Sequence, residues 1–158
     1  MAIDSAQLEQ LFREDHSVLY AAAMAITRNR QMAEDAVHDA LLAIAEMTGQ
    51  PRDLRAYLFT AVRNKALLLT SRGRRQTGLG ALEDFLDLSA VEPARQILLQ
   101  QILQHIETMD SNPRQVLIMK LFADLTFEEI ARVMNESGNT VASWYRRGLQ
   151  QLQEQLRD

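Results

Sequence analysis

Cysteine is absent from the 158-residue chain, so disulfides, thiolate metal sites and a cysteine nucleophile are excluded. No apolar run approaches the roughly 20 residues of a membrane span. Met1 to Gln10 lacks the basic and apolar stretches of a signal peptide, so a cytoplasmic protein with no membrane insertion is expected. With only three prolines and six glycines, few residues break a helix, and Ala, Leu, Gln and Glu are abundant. An all-α chain follows. Enzyme signatures are missing too: there is no glycine-rich phosphate loop and no His/Glu pair at zincin spacing. His16, His38 and His105 stand far apart in sequence and read as structural or solvated side chains. Glu34-Asp35 and Glu128-Glu129 read as first-turn carboxylates that favour the helix dipole. The seven methionines read as core filler. No catalytic residue, metal, cofactor or small-molecule substrate is expected, and the chain is not read as an enzyme.

The net charge of -4 is unevenly spread. Residues 1–53 set Arg13, Arg28, Arg30 and Arg52 against nine acids, whereas residues 54–82 carry Arg55, Arg63, Lys65, Arg72, Arg74 and Arg75 and no acid. Residues 83–158 turn acidic again except around Arg146 and Arg147. A basic segment in an acidic chain is either a solvated helix end and linker or a surface that meets phosphates.

Periodicity divides the chain. Asp4 or Ser5 caps a first helix with a stripe from Leu8 to Ile26, broken at Arg28-Asn29-Arg30. A second helix, 31–47, turns Ala33, Val37, Ala40, Leu41 and Ile44 inward and Asp35, His38, Asp39 and Leu42 outward. After the loop 48–52, Asp53 caps a third helix with Leu54, Tyr57, Leu58, Ala61 and Val62 buried, and Gly73 stops it. Residues 73–93 read as a linker in which Leu79, Leu82, Phe85 and Leu88 can dock a short helix. A fourth helix spans 94–109. Asn112-Pro113 marks the cap and first position of a fifth, which runs to Phe122 or Ala123. The organisation expected is two small helical domains, 1–72 and 94–158, joined by the linker 73–93.

Leu125 to Arg147 has the pattern of a helix-turn-helix. Thr126 and Glu129 form a capping box, 135–138 is rich in turn formers, and a second helix starts near Thr140. At ~100° per residue, Val141, Tyr145, Leu149, Leu152 and Leu156 share one side of that helix. Thr140, Ser143, Trp144 and Arg147 fall roughly opposite, flanked by Asn139 and Arg146. Hydroxyls, a guanidinium and an indole suit a helix lying in a major groove. An ordinary amphipathic hairpin with a polar outside has the same periodicity.

Ala33-Glu34-Asp35-Ala36-Val37-His38-Asp39-Ala40-Leu41-Leu42, followed by Arg55 to Asn64, resembles region 2 of bacterial sigma factors. Asn112 to Leu117 and Leu125 to Arg147 resemble region 4. With no region 3 between them, the chain resembles the extracytoplasmic-function class of the sigma-70 family. That resemblance implies an RNA polymerase sigma factor in which region 2 docks on the polymerase clamp helices and melts the promoter. Asp35, His38, Asp39 and Leu42 would then contact core polymerase, and the loop from Thr48 to Asp53, with Arg52, would hold an unstacked base. Arg63, Asn64, Lys65 and Arg72 would hold the nucleic-acid backbone. Asn139, Thr140, Ser143, Trp144, Arg146 and Arg147 would meet the upstream promoter element. The implied partners are core polymerase, promoter DNA and an anti-sigma factor.

Two departures stand out. The family's recognition helix commonly begins Gly-Thr-Val-Lys-Ser-Arg, where this chain has Asn139-Thr140-Val141-Ala142-Ser143-Trp144, with two cations gone. Leu68 stands where the family often has an acid. They leave two other readings, a sigma mimic that captures an anti-sigma factor and an unrelated helix-turn-helix regulator. The region 2 block and the basic third helix favour the sigma factor, since a mimic needs neither.

Overall fold

The computed structural model describes residues 3–72 and 82–157, and every regular element among them is helical. Gly73, Arg74, Arg75, Gly78, Leu79 and Gly80 lie outside the described residues.

Helix α1 (Ser5–Thr27) opens where the Asp4 carboxylate accepts the Ala6 and Gln7 N–H groups, at 3.0 and 3.4 Å. It closes on Arg28 in the left-handed region (φ 52°), whose N–H reaches the Met24 carbonyl. Asn29 then caps α2 (Arg30–Glu46) through Met32 N–H at 3.0 Å, so the reversal takes two residues. Because α2 starts at Arg30, Glu34 and Asp35 sit in its second turn rather than its first. Asp53 caps α3 (Leu54–Ser71) through Ala56 N–H at 3.1 Å. The three helices form a bundle. Ala21, Ala23, Ala25, Ala33, Ala36 and Ala40 are buried where α1 and α2 meet the core, small side chains that let helices approach closely.

α3 is covered on two sides, by α1 and α2 and by a later helix, so its buried set is Leu54, Ala56, Leu58, Phe59, Val62 and Ala66. Tyr57, expected inside, is 43% exposed. A 3-10 turn at Leu82–Asp84 returns the chain to the bundle with Leu82 buried, and α4 (Pro93–Glu107) follows. α5 (Ser111–Leu117) is preceded by Asp110, two residues before the expected cap. Pro113 fits there because the first-turn N–H groups have no intrahelical partner. The fifth helix continues to Phe122 as a π-helical turn, Ile118–Phe122.

α6 (Phe127–Met134) begins with both hydrogen bonds of the capping box, Glu129 N–H to Thr126 Oγ1 at 3.0 Å and Thr126 N–H to Glu129 Oε1 at 2.9 Å. Asn135, in the left-handed region (φ 54°), ends it. Ser137 caps α7 (Gly138–Leu156), which starts slightly before Thr140. Met24, Met32, Met109, Met119 and Met134 are buried, as core filler should be. α6 packs on α3, and α5 with the π turn packs on α1, so one hydrophobic cluster runs from Ile3 to Leu152 through both halves of the chain.

Candidate functional site

Three surfaces collect the candidate residues. The first is the outer face of α2. Asp35, His38, Asp39 and Leu42 recur at i, i+3, i+4 and i+7, so one turn stacks on the next. His38 and Asp39 are exposed, and Leu42 is 62% exposed on a helix whose other apolar side chains are mostly covered. Asp35 accepts from Gln31 Nε2 at 2.9 Å. His38 Nε2 lies 3.0 Å from the Tyr20 hydroxyl, whose ring it also meets edge-on. Burial, with a contribution from Glu34, pushes that hydroxyl's pKa above its ordinary value. Next to this face, Leu8 and Phe12 of α1 and Leu41, Leu42 and Ala45 of α2 line an open apolar groove. Sequence reasoning missed the groove because it arises from two helices crossing, and periodicity treats each helix alone.

The second surface is α3 with the loop before it. Arg52, Asn64 and Arg72 are exposed and Lys65 is half-buried. Pro51, Arg52, Asp53, Tyr57 and Thr60 line a pocket that Arg132 of α6 closes from the side, 3.7 Å from the Asp53 carboxylate. Tyr57 offers an aromatic face here, which the sequence reading had placed in the core. Arg63 differs from its neighbours on this helix. Its Nε donates to Gln115 Oε1 at 2.8 Å across the α3–α5 seam, and burial lowers its pKa while Glu136 partly restores it.

Arginines hold that seam elsewhere too. Arg55 pairs with Asp15 at 2.7 and 3.3 Å and donates to the Ala123 carbonyl at 2.5 Å. The Asp15 hydrogen bond outweighs burial and raises its pKa. Arg28 donates to the Glu107 carbonyl at 3.1 Å. Arg114 is 5% exposed and donates to the carbonyls of Ala25 and Met109 at 2.7 and 2.6 Å.

The third surface is α7. Asn139, Arg146 and Arg147 are exposed, and Thr140 and Ser143 are half-covered. Trp144 departs from expectation: it is half-buried and packs against the core. At ~100° per residue Trp144 lies about 60° from the buried Val141 rather than opposite it. Tyr145 sits on the core side, edge-on to Phe127 with centroids 5.1 Å apart.

Among the described residues no group of three His, Asp or Glu side chains is placed to hold a metal ion, and no helix is long and apolar enough to cross a membrane. The arrangement offers a mixed acidic and apolar docking face, a cationic helix beside an aromatic pocket, and a two-helix unit with a paired arginine edge.

In comparison with known proteins, two family models match this chain. The Sigma-70 region 2 model matches residues 11–76, and the Sigma-70 region 4 model matches residues 99–152. No curated protein matches the sequence. Among solved structures, CnrH in complex with the cytosolic domain of CnrY is similar at 21% identity and a TM-score of 0.66, over 98% of this chain and 90% of that one. The sigma factor RpoE of Bartonella quintana, in complex with the anti-sigma factor NepR, is similar at 24% identity and a TM-score of 0.69. That match covers 96% of this chain and 97% of the other. At these identities the likeness is one of fold.

Proposed function

The chain belongs to the sigma-70 family, carrying region 2 and region 4 in order, and from that premise we propose that it is an RNA polymerase sigma factor of the extracytoplasmic-function class. The observation that carries the reading is the coincidence of both family regions with surfaces suited to their tasks. α2 presents a docking face, α3 is free of acids, and the helix-turn-helix is complete.

Core polymerase binds the face of Asp35, His38, Asp39 and Leu42. Carboxylates around an exposed leucine suit a partner helix with basic side chains beside an apolar one. Promoter DNA in its melted form meets Arg52, Asn64, Lys65 and Arg72, and the Tyr57 pocket takes an unstacked base, since aromatic faces bind bases of any identity. Arg63 joins this set once it leaves Gln115. Duplex DNA upstream meets Asn139, Thr140, Ser143, Arg146 and Arg147, and Trp144 shapes that helix from behind. Residues 1–72 and 94–158 work as the two functional units and 73–93 as the link between them. The protein performs no chemistry of its own; binding energy to polymerase and single-stranded bases offsets the cost of strand separation. It works in the bacterial cytoplasm at the nucleoid, and an anti-sigma factor is its regulatory partner; the similar RpoE is in complex with the anti-sigma factor NepR.

The test is a titration of core polymerase with Asp39→Lys. A loss of about tenfold in affinity is expected, the effect of ~1.4 kcal/mol. Helix content and melting should be unchanged, because Asp39 is exposed. Undiminished affinity places the docking face elsewhere.

A further inference from the structure

Residues 82–88 lie against region 2 in a way that a plain tether does not require. Leu82 is buried to 2% exposure and its N–H donates to the Glu107 carboxylate. The turn is closed by Phe85 N–H to the Leu82 carbonyl and Leu86 N–H to the Glu83 carbonyl, both at 3.2 Å. Phe85 stacks on Tyr20, with centroids 5.5 Å apart and rings inclined by 15°, and the Arg30 guanidinium sits 5.3 Å from the Phe85 centroid. An aromatic ring in contact with both a second ring and a cation is an anchored side chain.

The position of this anchor matters. Tyr20 gives its face to Phe85 and its hydroxyl to His38. Phe12 meets Tyr20 edge-on at 6.3 Å and also lines the apolar groove that includes Leu42. Groove, Tyr20 and His38 therefore form one continuous surface, and Phe85 covers its far end. A helix laid along Leu42, Asp39 and His38 arrives next at Tyr20.

We propose that residues 82–88 form a strap seated on the α1–α2 docking surface, and that core polymerase and the strap compete for it. The proposal rests on the reading that polymerase docks on α2. Glu107 links the strap to the rest of the molecule: its carboxylate holds the Leu82 N–H, and its carbonyl accepts from Arg28. Lifting Phe85 loosens α4 from region 2, so docking favours separation of the two halves. A chain whose competent form is only partly populated binds more weakly by that fraction, and weakening the strap restores the lost affinity.

The experiment is a core polymerase titration with the full chain and its Phe85→Ala variant. Phe85→Ala should bind roughly three- to tenfold tighter, the factor carried by one stacked aromatic pair. Arg30→Ala should shift affinity in the same direction by less. Because the chain has no cysteine, Ser89→Cys takes a single fluorophore beside the strap, and its signal should change as polymerase saturates the protein. Unchanged or weaker binding by a folded Phe85→Ala chain, with wild-type binding intact, overturns the strap alone. If Phe85→Ala does not fold, Arg30→Ala and the Ser89 probe decide, and a silent probe at saturation overturns the proposal. A wild-type chain that binds no core polymerase refutes the docking reading and the strap with it.

Discussion

Arg114 is the one buried charged side chain among the described residues. A cation in such a place needs acceptors, and it finds them in two backbone carbonyls rather than in a carboxylate. The Ala25 carbonyl belongs to the last turn of α1, where carbonyls have no partner within the helix, so Arg114 caps α1 from the other half of the chain. Arg114→Met keeps most of the volume and removes the donors, leaving both carbonyls unpaired. A loss of about 2–4 kcal/mol is expected, read as a lower urea midpoint. An unchanged midpoint would mean that water replaces the guanidinium freely. What the sequence reveals about single residues depends on how far their partners lie along the chain. Asp4, Asp53 and the Thr126–Glu129 box bond within three residues and are legible from the order of side chains alone. Arg63 is paired with Gln115, 52 residues away, and no local pattern announces that. Trp144 fails for a different reason: about 60° from Val141 it lies at the margin of the buried arc, where periodicity alone does not decide its side.

Among the elements, α5 and α7 cross closely at Gly148. A Cβ built on Gly148 would lie 2.8 Å from Leu117 Cδ1 and 3.1 Å from Leu117 Cγ, and Leu117 is itself fully buried. Helix propensity favours Ala over Gly by about 1 kcal/mol. Overpacking a filled core costs about 1–3 kcal/mol, so Gly148→Ala should destabilise on balance. Gly148→Val should do so further, with falling melting temperatures as the measurement; a rise for Ala would show that Leu117 has room to move. On the outer face of the same helix, Arg146 and Arg147 are the cations left to meet phosphates. Removing both should weaken duplex binding at every sequence and reduce the salt slope by about 2 units. A loss confined to one promoter base would instead make one of them a base reader. The helices were legible from apolar periodicity, and their ends from capping residues. The groove between α1 and α2 was not, since it depends on how two helices cross.

For the whole molecule, the sequence suggested two small domains on a linker, and a linker by itself does not say whether they touch. They do: Phe59, Met119 and Val133 join one core, with Arg28, Arg55, Arg63 and Arg114 hydrogen-bonded across the same seam. Those contacts join residues far apart in sequence, which composition of a linker does not encode. Directing polymerase to promoters is the function proposed for this two-region chain. Run-off transcription with core polymerase from the source organism and a pool of its genomic promoter fragments tests it most directly. Specific transcripts should appear only when the protein is added, and they should share sequence upstream of their start sites. Stable binding to core polymerase with no transcript from any fragment would contradict it.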